Sequence, residues 1–310
     1  MNYTLHQLRV FTKVYEHKSI TKAAEELFLT QPAVSIQLKR LQEQFEIPMT
    51  EVIGRQLHIT EFGERIAQTC YRVLEEAEAI NQEINLFKGI LTGNIQIATV
   101  STGKYILPYF LRSFIQKYDQ VNLNVNVTNK QKVVDALREN ETDLALVSVL
   151  PDDMKLETVT LMENHLYLVV GKYGPAIDHI NSPKKLSDLP LIFRERGSAT
   201  RMAMEGYLDK MGITPRKTME LVSNEAVKQA VIAGLGLSIM PLIGLESELK
   251  NGNIRIIPIK GLPITTTWNL VYNSGKSLDP VLTTFLSELN SEKEAIKKEK
   301  FDWIRKYKKS

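Results

Sequence analysis

Cys70 is the single cysteine of this 310-residue chain, so neither an intrachain disulfide nor a cysteine-cluster zinc site can form. The five histidines, His6, His17, His58, His165 and His179, stand without metal-ligand spacing. No serine sits in a GxSxG elbow. The run Gly234-Leu235-Gly236-Leu237-Ser238-Ile239-Met240-Pro241 lacks the third glycine of a dinucleotide loop and the lysine of a phosphate loop. It also precedes an expected strand where such loops precede a helix, which fits a structural turn. Catalysis by a nucleophile, a metal or a nucleotide therefore has no constellation to work from, and no cofactor is expected.

Other polar groups stand where strands should hand over to helices. Ser101-Thr102-Gly103 follows one apolar run and Thr128-Asn129 another, while Gly197-Ser198-Ala199-Thr200-Arg201 and Ser223-Asn224-Glu225 open helical segments. Helix N-termini present unpaired N–H groups and partial positive charge, so several converging on a cleft would hold a carboxylate or another anion. Each hydroxyl taken singly is explained as well by helix capping. Arg196 or Arg201 could neutralise a bound anion, with ordinary surface ion pairs as the alternative.

The elements that must position these groups follow from periodicity. Ile95–Val100, Leu123–Thr128 and Leu144–Val149 read as strands, with helices near Lys104–Tyr118 and Gln131–Glu139 between them, the βαβ pattern of an α/β sheet. A second set runs from Leu166 to Pro258, and Thr265–Tyr272 with Asp279–Leu289 returns to the first sheet. Two subdomains joined by two crossing segments enclose a cleft.

Nearer the N-terminus, Thr30-Gln31-Pro32 has the form of a helix start, with Thr30 as the capping hydroxyl and Pro32 in the first turn. Val34, Leu38, Leu41 and Phe45 then form one apolar stripe, leaving Pro32, Ala33, Ser35, Ile36, Lys39 and Arg40 on the opposite face. Upstream, Ser19–Leu27 reads as a short helix whose Ala23-Ala24 pair admits a close neighbour, and Phe28-Leu29 makes the turn. Two short helices joined tightly describe a helix-turn-helix, although such a pair also occurs as plain core packing.

Leu5–Phe11, then Ser19-Ile20-Thr21-Lys22-Ala23-Ala24, then Thr30-Gln31-Pro32-Ala33-Val34-Ser35, and finally Leu57-His58-Ile59-Thr60-Glu61-Phe62-Gly63, resemble the N-terminal signature of LysR-type transcription regulators in order and spacing. The resemblance implies an α/β protein with three parts. These are a mainly α N-terminal winged helix-turn-helix (1–60), a long dimerisation helix (61–91), and a periplasmic-binding-protein-like effector domain of two subdomains (92–290). Subdomain I would take about 92–162 and 267–290, and subdomain II about 163–266. It implies a recognition helix over Gln31–Gln44 and a wing over Met49–Ile59. DNA-facing residues would be Thr21, Thr30, Gln31, Pro32, Ala33, Ser35, Ile36, Lys39, Arg40 and the wing-tip Arg55, with Gln31 able to pair bidentately with adenine. An effector pocket would draw on Ser101, Thr102, Thr128, Asn129, Ser148, Arg196, Ser198, Thr200, Arg201 and Asn224, and would suit an anionic or zwitterionic metabolite. The implied partners are promoter DNA, a second copy (with tetramers the family's habit), RNA polymerase and the metabolite. The opening motifs and Arg194-Glu195-Arg196-Gly197-Ser198 are similar to family members that control carbon, nitrogen or sulfur assimilation, including carbon-fixation operons.

The chain departs from the family pattern in two places. Ile36 replaces a commonly polar residue, which suggests an apolar contact such as a thymine methyl. The wing segment Thr50-Glu51-Val52 lacks the usual aromatic and arginine. Residues 1–60 carry seven Lys/Arg against six Asp/Glu, so binding should depend on two half-sites more than on bulk charge.

Between Thr60 and Leu91 there is no proline, and Gly63 and Gly89 mark the expected ends of a helix. Ile66, Val73, Ile80 and Phe87 stand seven apart, as do Cys70, Ala77, Ile84 and Leu91, giving the two rows of a coiled coil. Self-dimerisation is expected, with packing on its own domain as the alternative; Cys70 would be a small residue of the seam or a redox sensor. The last twenty residues carry eight Lys/Arg and four Asp/Glu interleaved with Phe301, Trp303, Ile304 and Tyr307, and read as a basic, frayed and solvated helix, with contact to DNA or a neighbouring subunit as the alternative. The N-terminus lacks a signal-peptide pattern and no apolar run reaches the roughly 20 residues that span a bilayer, so no membrane association and a cytoplasmic location are expected. The competing readings are a metabolite enzyme or a solute-binding protein built on the α/β domain.

Overall fold

The computed structural model describes residues 2–54, 56–177 and 182–307. Contacts divide the chain into two compact units, Met1–Ile90 and Leu91–Ser310. The first opens with α1 (Leu5–His17), started by a reciprocal cap in which the Thr4 hydroxyl accepts from the Gln7 amide and the Gln7 side chain accepts from the Thr4 amide. Then come α2 (Ile20–Glu26), α3 (Gln31–Gln42), an antiparallel hairpin of β1 (Thr50–Ile53) and β2 (Gln56–Ile59), and α4 (Glu61–Phe87). Val10, Phe11 and Val14 of α1 meet Ala23 and Ala24 of α2 and Val34, Leu38 and Leu41 of α3 in one core. The absence of bulk at the two alanines is what lets these helices approach.

Gly63 lies inside the first turn of α4, so it does not mark a helix end. A Cβ there would stand 2.0 Å from the Met49 carbonyl oxygen, so the backbone leading into the hairpin packs against a position only glycine can fill. The helix starts at the Thr60 hydroxyl, which accepts from the Gly63 amide and donates to the Pro48 carbonyl. The expected seam also changes character along α4. Ala67 and Cys70 are buried in the unit's own core, Cys70 at 3% exposure, whereas Val73, Ile80, Ile84 and Phe87 are exposed. Cys70 is thus a core residue of its own unit, and burial pushes its thiol pKa up to about 11. Leu91, placed by heptad count on the seam, belongs to the core of the second unit.

That unit contains β3 (Gly93–Val100), α5 (Leu107–Lys117), β4 (Val121–Thr128), α6 (Lys130–Arg138), β5 (Leu144–Val147) and the long β6 (Leu156–Gly171). It continues with β7 (Pro190–Arg194), α7 (Ala199–Lys210), β8 (Lys217–Leu221), α8 (Asn224–Ile232) and β9 (Leu237–Pro241). The short α9 (Glu246–Lys250), β10 (Ile254–Ile256), β11 (Ile264–Asn273) and α10 (Pro280–Lys300) complete it. The strands run in the order β4-β3-β5-β11-β6-β9-β7-β8, with β10 on β6. The triplet β4-β3-β5 is parallel, as are β9-β7-β8, and the antiparallel pair β6-β11 runs between the two groups. Residues from 156 to 166 of β6 pair with β11, and 166–170 pair with β9, so β6 runs from the β5–β11 side of the sheet to the β9–β7 side. The glycine run around Gly234 is the expected turn into β9: Gly234 has φ +81°, and a Cβ there would meet the Tyr173 carbonyl oxygen at 2.3 Å. Among the described residues no helix is long and apolar enough to cross a membrane.

The C-terminal segment is not a frayed helix. α10 runs on to Lys300, and Phe301 and Ile304 of the following segment are buried in the main core. The aromatic residues interleaved with the basic ones supply the burial that charge counting overlooks.

Candidate functional site

In the first unit the outward face of α3 is polar and unobstructed within that unit. Thr30 caps the helix, its hydroxyl accepting from the Ala33 amide at 3.4 Å, and Pro32 occupies the first turn. Val34, Leu38 and Leu41 point inward, while Gln31, Pro32, Ser35, Ile36, Lys39 and Arg40 are exposed and Ala33 is half-buried. Ile36 is 51% exposed, an aliphatic side chain on an otherwise mainly polar face. Thr21, on the first turn of α2, is exposed too. The hairpin shows Val52 and Ile53 to solvent and turns at Gly54, where φ is +58°. Arg55 lies outside the described residues. A helix of about 10 Å diameter with such a face fits a major groove, and this one offers amide, hydroxyl and cationic groups with one apolar contact.

α1, α2 and α4 are fixed behind α3 by a charged cluster. Lys13 pairs with Glu16 and Glu26 at 2.7 Å each, His17 bonds Glu26, and the Tyr71 hydroxyl of α4 donates to Glu16 at 2.9 Å. Glu16, His17 and Glu26 have metal-ligand proximity, but the Lys13 ammonium already supplies a cation to both carboxylates.

In the second unit the polar loop residues line up because parallel strands end in register. Val100 pairs with Thr128 and Thr99 with Leu146, which sets Ser101, Thr128-Asn129 and Ser148 along the carboxyl ends of β3, β4 and β5. Arg194 pairs likewise with Leu221, which sets Gly197-Ser198 and Ser223-Asn224 along the ends of β7 and β8. In open α/β sheets this is the edge at which ligands bind. The two edges touch. The Arg194 guanidinium donates to the Ser101 hydroxyl at 2.9 Å, the Tyr105 hydroxyl donates to Glu225 at 3.2 Å, and a Cβ on Gly197 would come within 3.9 Å of the Asn129 amide nitrogen.

Not every expected residue takes part. Arg201 is held by Glu205 and Glu220 and donates to the Arg194 carbonyl, so its charge is already matched on the outer side of β7; Arg196 is exposed. A buried cation at the meeting of the two edges is Arg194, 4% exposed, whose Nε and Nη2 each reach Glu195 at 2.8 Å. The sequence carried one signal for it: an arginine closing the apolar run Leu191-Ile192-Phe193 is buried if that strand is internal, and then requires partners. Asn129 and Ser223 are helix caps, accepting from the Lys132 and Ala226 amides. Ser198 is buried at the start of α7 but makes no cap bond. Thr102, Ser148 and Thr200 are buried, and Thr128 is half-buried. Both polar atoms of the Asn224 side chain are buried without a hydrogen-bond partner among the described residues, next to the Tyr105 hydroxyl, and so could bind a ligand. Nearby, Lys228 bonds Glu248 at 2.9 Å and Glu225 at 3.2 Å. Burial alone would favour its neutral form, and these carboxylates outweigh that and hold it charged.

Two family models match: the bacterial regulatory helix-turn-helix protein of the lysR family over residues 5–64, and the LysR substrate-binding domain over residues 88–293. The chain belongs to the LysR family of bacterial transcription regulators. It is 36% identical over 296 residues to the HTH-type transcriptional activator CmpR of Synechocystis sp., covering 95% of this chain and 97% of that one. It is 34% identical over 287 residues to a RuBisCO operon transcriptional regulator of Acidithiobacillus ferrooxidans, covering 92% of this chain and 93% of its relative. The solved regulatory domain of Synechocystis CcmR, in complex with 2-PG, matches with a TM-score of 0.61 and 32% identity, covering 64% of this chain and 97% of that chain. For this LysR-family chain, α3 is accordingly the helix of a DNA-binding domain, and the α/β unit is its regulatory domain.

Proposed function

We propose that the chain is a cytoplasmic, non-enzymatic regulator that binds double-stranded promoter DNA as a homodimer or dimer of dimers, under control of a small anionic metabolite in the regulatory-domain cleft. On this reading residues 1–60 bind DNA, 61–91 join two copies and 92–290 sense the metabolite. One observation carries it: on α3 Val34, Leu38 and Leu41 are consumed by the core, which leaves Gln31, Ser35, Ile36 and Lys39 presented together to solvent. Gln31 reads adenine, Ile36 covers a thymine methyl, and Lys39, Arg40, Thr21 and Thr30 hold phosphates. The exposed Val73, Ile80, Ile84 and Phe87 supply the dimer contact.

In the cleft, Arg194 contributes the Nη1 donor it now gives to Ser101, its Nε and Nη2 staying on Glu195, with Ser101, Asn129, Ser198 and Asn224 around the anion. The ligand named for CcmR and the operon named for the Acidithiobacillus regulator support an anionic effector and a carbon-assimilation target. Effector binding would change how the subunits are set on DNA and how they meet RNA polymerase.

The test is fluorescence anisotropy of the full chain on the DNA upstream of its own gene, beside a scrambled fragment at about 0.15 M salt, near physiological ionic strength. Selective binding that Gln31→Ala weakens roughly tenfold, the worth of one bidentate base contact, is expected. Equal affinity for both fragments, there and on neighbouring promoters, would defeat the reading.

A further inference from the structure

We infer that the C-terminal segment Phe301–Tyr307, which lies beyond the stretch matched to the substrate-binding-domain model, is a strap across the hinge of the regulatory domain, and that it sets the opening of the cleft. Its attachment to subdomain I is aromatic and ionic. α10 lies on α5 through Phe285 against Phe114, with ring centroids 5.1 Å apart, and through Glu288, which receives the Tyr118 hydroxyl at 2.7 Å. At the end of α10, Phe301 stacks on Phe110 at 6.0 Å and meets Tyr109 edge-on at 5.4 Å. The chain then turns through a 3₁₀ segment, Asp302–Tyr307, and buries Ile304.

Its second attachment is on the crossing strand. The Tyr167 hydroxyl donates to the Tyr307 carbonyl at 2.9 Å, and Tyr167 belongs to the half of β6 that pairs with β9, in subdomain II. On one flank of the segment Ile304 and Arg305 share a groove with Met162 and His165, at the changeover in β6; on the other Trp303 shares a pocket with Tyr105 of subdomain I and Gly244 and Glu248 of subdomain II. One short segment is therefore held on subdomain I through Phe301 and on the β9-paired half of β6 through Tyr307, with Trp303 and Ile304 between these two attachments. Cleft opening must separate Ser101 and Tyr105 from Arg194 and Glu225, and any such motion alters the distance from Phe110 to Tyr167 that the strap spans. The strap's contacts count toward whichever cleft geometry it fits, which is the one in which these two pairs are closed.

Because the inference concerns opening and requires neither DNA nor an identified effector, its failure is distinguishable from failure of the regulator reading. The experiment is hydrogen–deuterium exchange on the full chain without ligand, comparing wild type with Phe301→Leu, which keeps an apolar side chain but removes the ring pairs, and with Tyr167→Phe, which removes one hydrogen bond. In both variants amides of residues 101–105 and 197–201 should exchange about threefold to tenfold faster, the size expected from losing one aromatic pair or one hydrogen bond, while core amides of β3 and β9 keep their rates. Faster exchange confined to residues 297–307 would overturn the strap. So would equal acceleration throughout β3 and β9, since the segment would then be ordinary core.

Discussion

Arg194, Arg196 and Arg201 lie within eight residues of one another, yet they have three different fates: buried across the cleft from Ser101, exposed, and held by Glu205 and Glu220. Spacing could show that a cation was available near this strand end. Which one faces the cleft depended on the strand being internal, with β9 on one side and β8 on the other. For an anionic effector found by screening, Arg194→Gln should weaken binding about tenfold to a hundredfold, as expected for loss of hydrogen bonds to a charged group, while Arg196→Gln should leave it unchanged in the same calorimetric titration. Equal losses would place the anion elsewhere. Cys70 yields a second prediction at this scale. Its thiol pKa, raised by burial to about 11 in the folded chain, lies above its ordinary 9.0. The folded state therefore keeps a proton that the unfolded state gives up, so the stability contribution is complete below pH 9.0 and is lost as pH rises toward about 11. Below that range native protein should react slowly with iodoacetamide and denatured protein readily; fast labelling of the native form would revive the redox role.

At the scale of elements, α4 joins two environments that a heptad count treats as one. Its first turns are fixed by Gly63 against Met49 and by Ala67 and Cys70 in the local core, whereas the stripe from Val73 to Phe87 is left exposed. Own-domain packing, one of the alternatives raised by the sequence, thus holds for the first turns of the helix, and self-association is the proposal for the exposed remainder. A periodic stripe shows which side of a helix is apolar but not what covers it, because partner identity is a tertiary property. Ile80→Glu should convert the dimer to monomer in analytical ultracentrifugation without lowering the melting temperature of the helix-turn-helix unit. Unchanged mass would show that the stripe is not the seam. The C-terminal segment illustrates the same limit from the other side: its charge suggested fraying, and its aromatic residues, spaced between the lysines, decided the packing.

Across the whole molecule, DNA affinity and effector response require parts that no single element contains. With seven cations and six anions in the first sixty residues, one DNA-binding domain has little net charge to hold a phosphate backbone. A monomer produced by Ile80→Glu should therefore lose most of its operator affinity, and a monomer that kept it would contradict the two-half-site mechanism. The sequence by itself determined the helix-turn-helix, the outward face of α3, the alternation of strands and helices, and the polar residues at the strand ends. These rest on periodicity, capping and turn chemistry, which are local. The tertiary structure decided that Arg194 is buried beside Ser101, that Asn224 is buried with its amide unmatched, that Cys70 belongs to a core, and that Phe301 and Ile304 enter the main core while Tyr307 meets Tyr167. Each depends on which distant segment occupies the neighbouring space, and burial and charge pairing are settled only when that neighbour is in place.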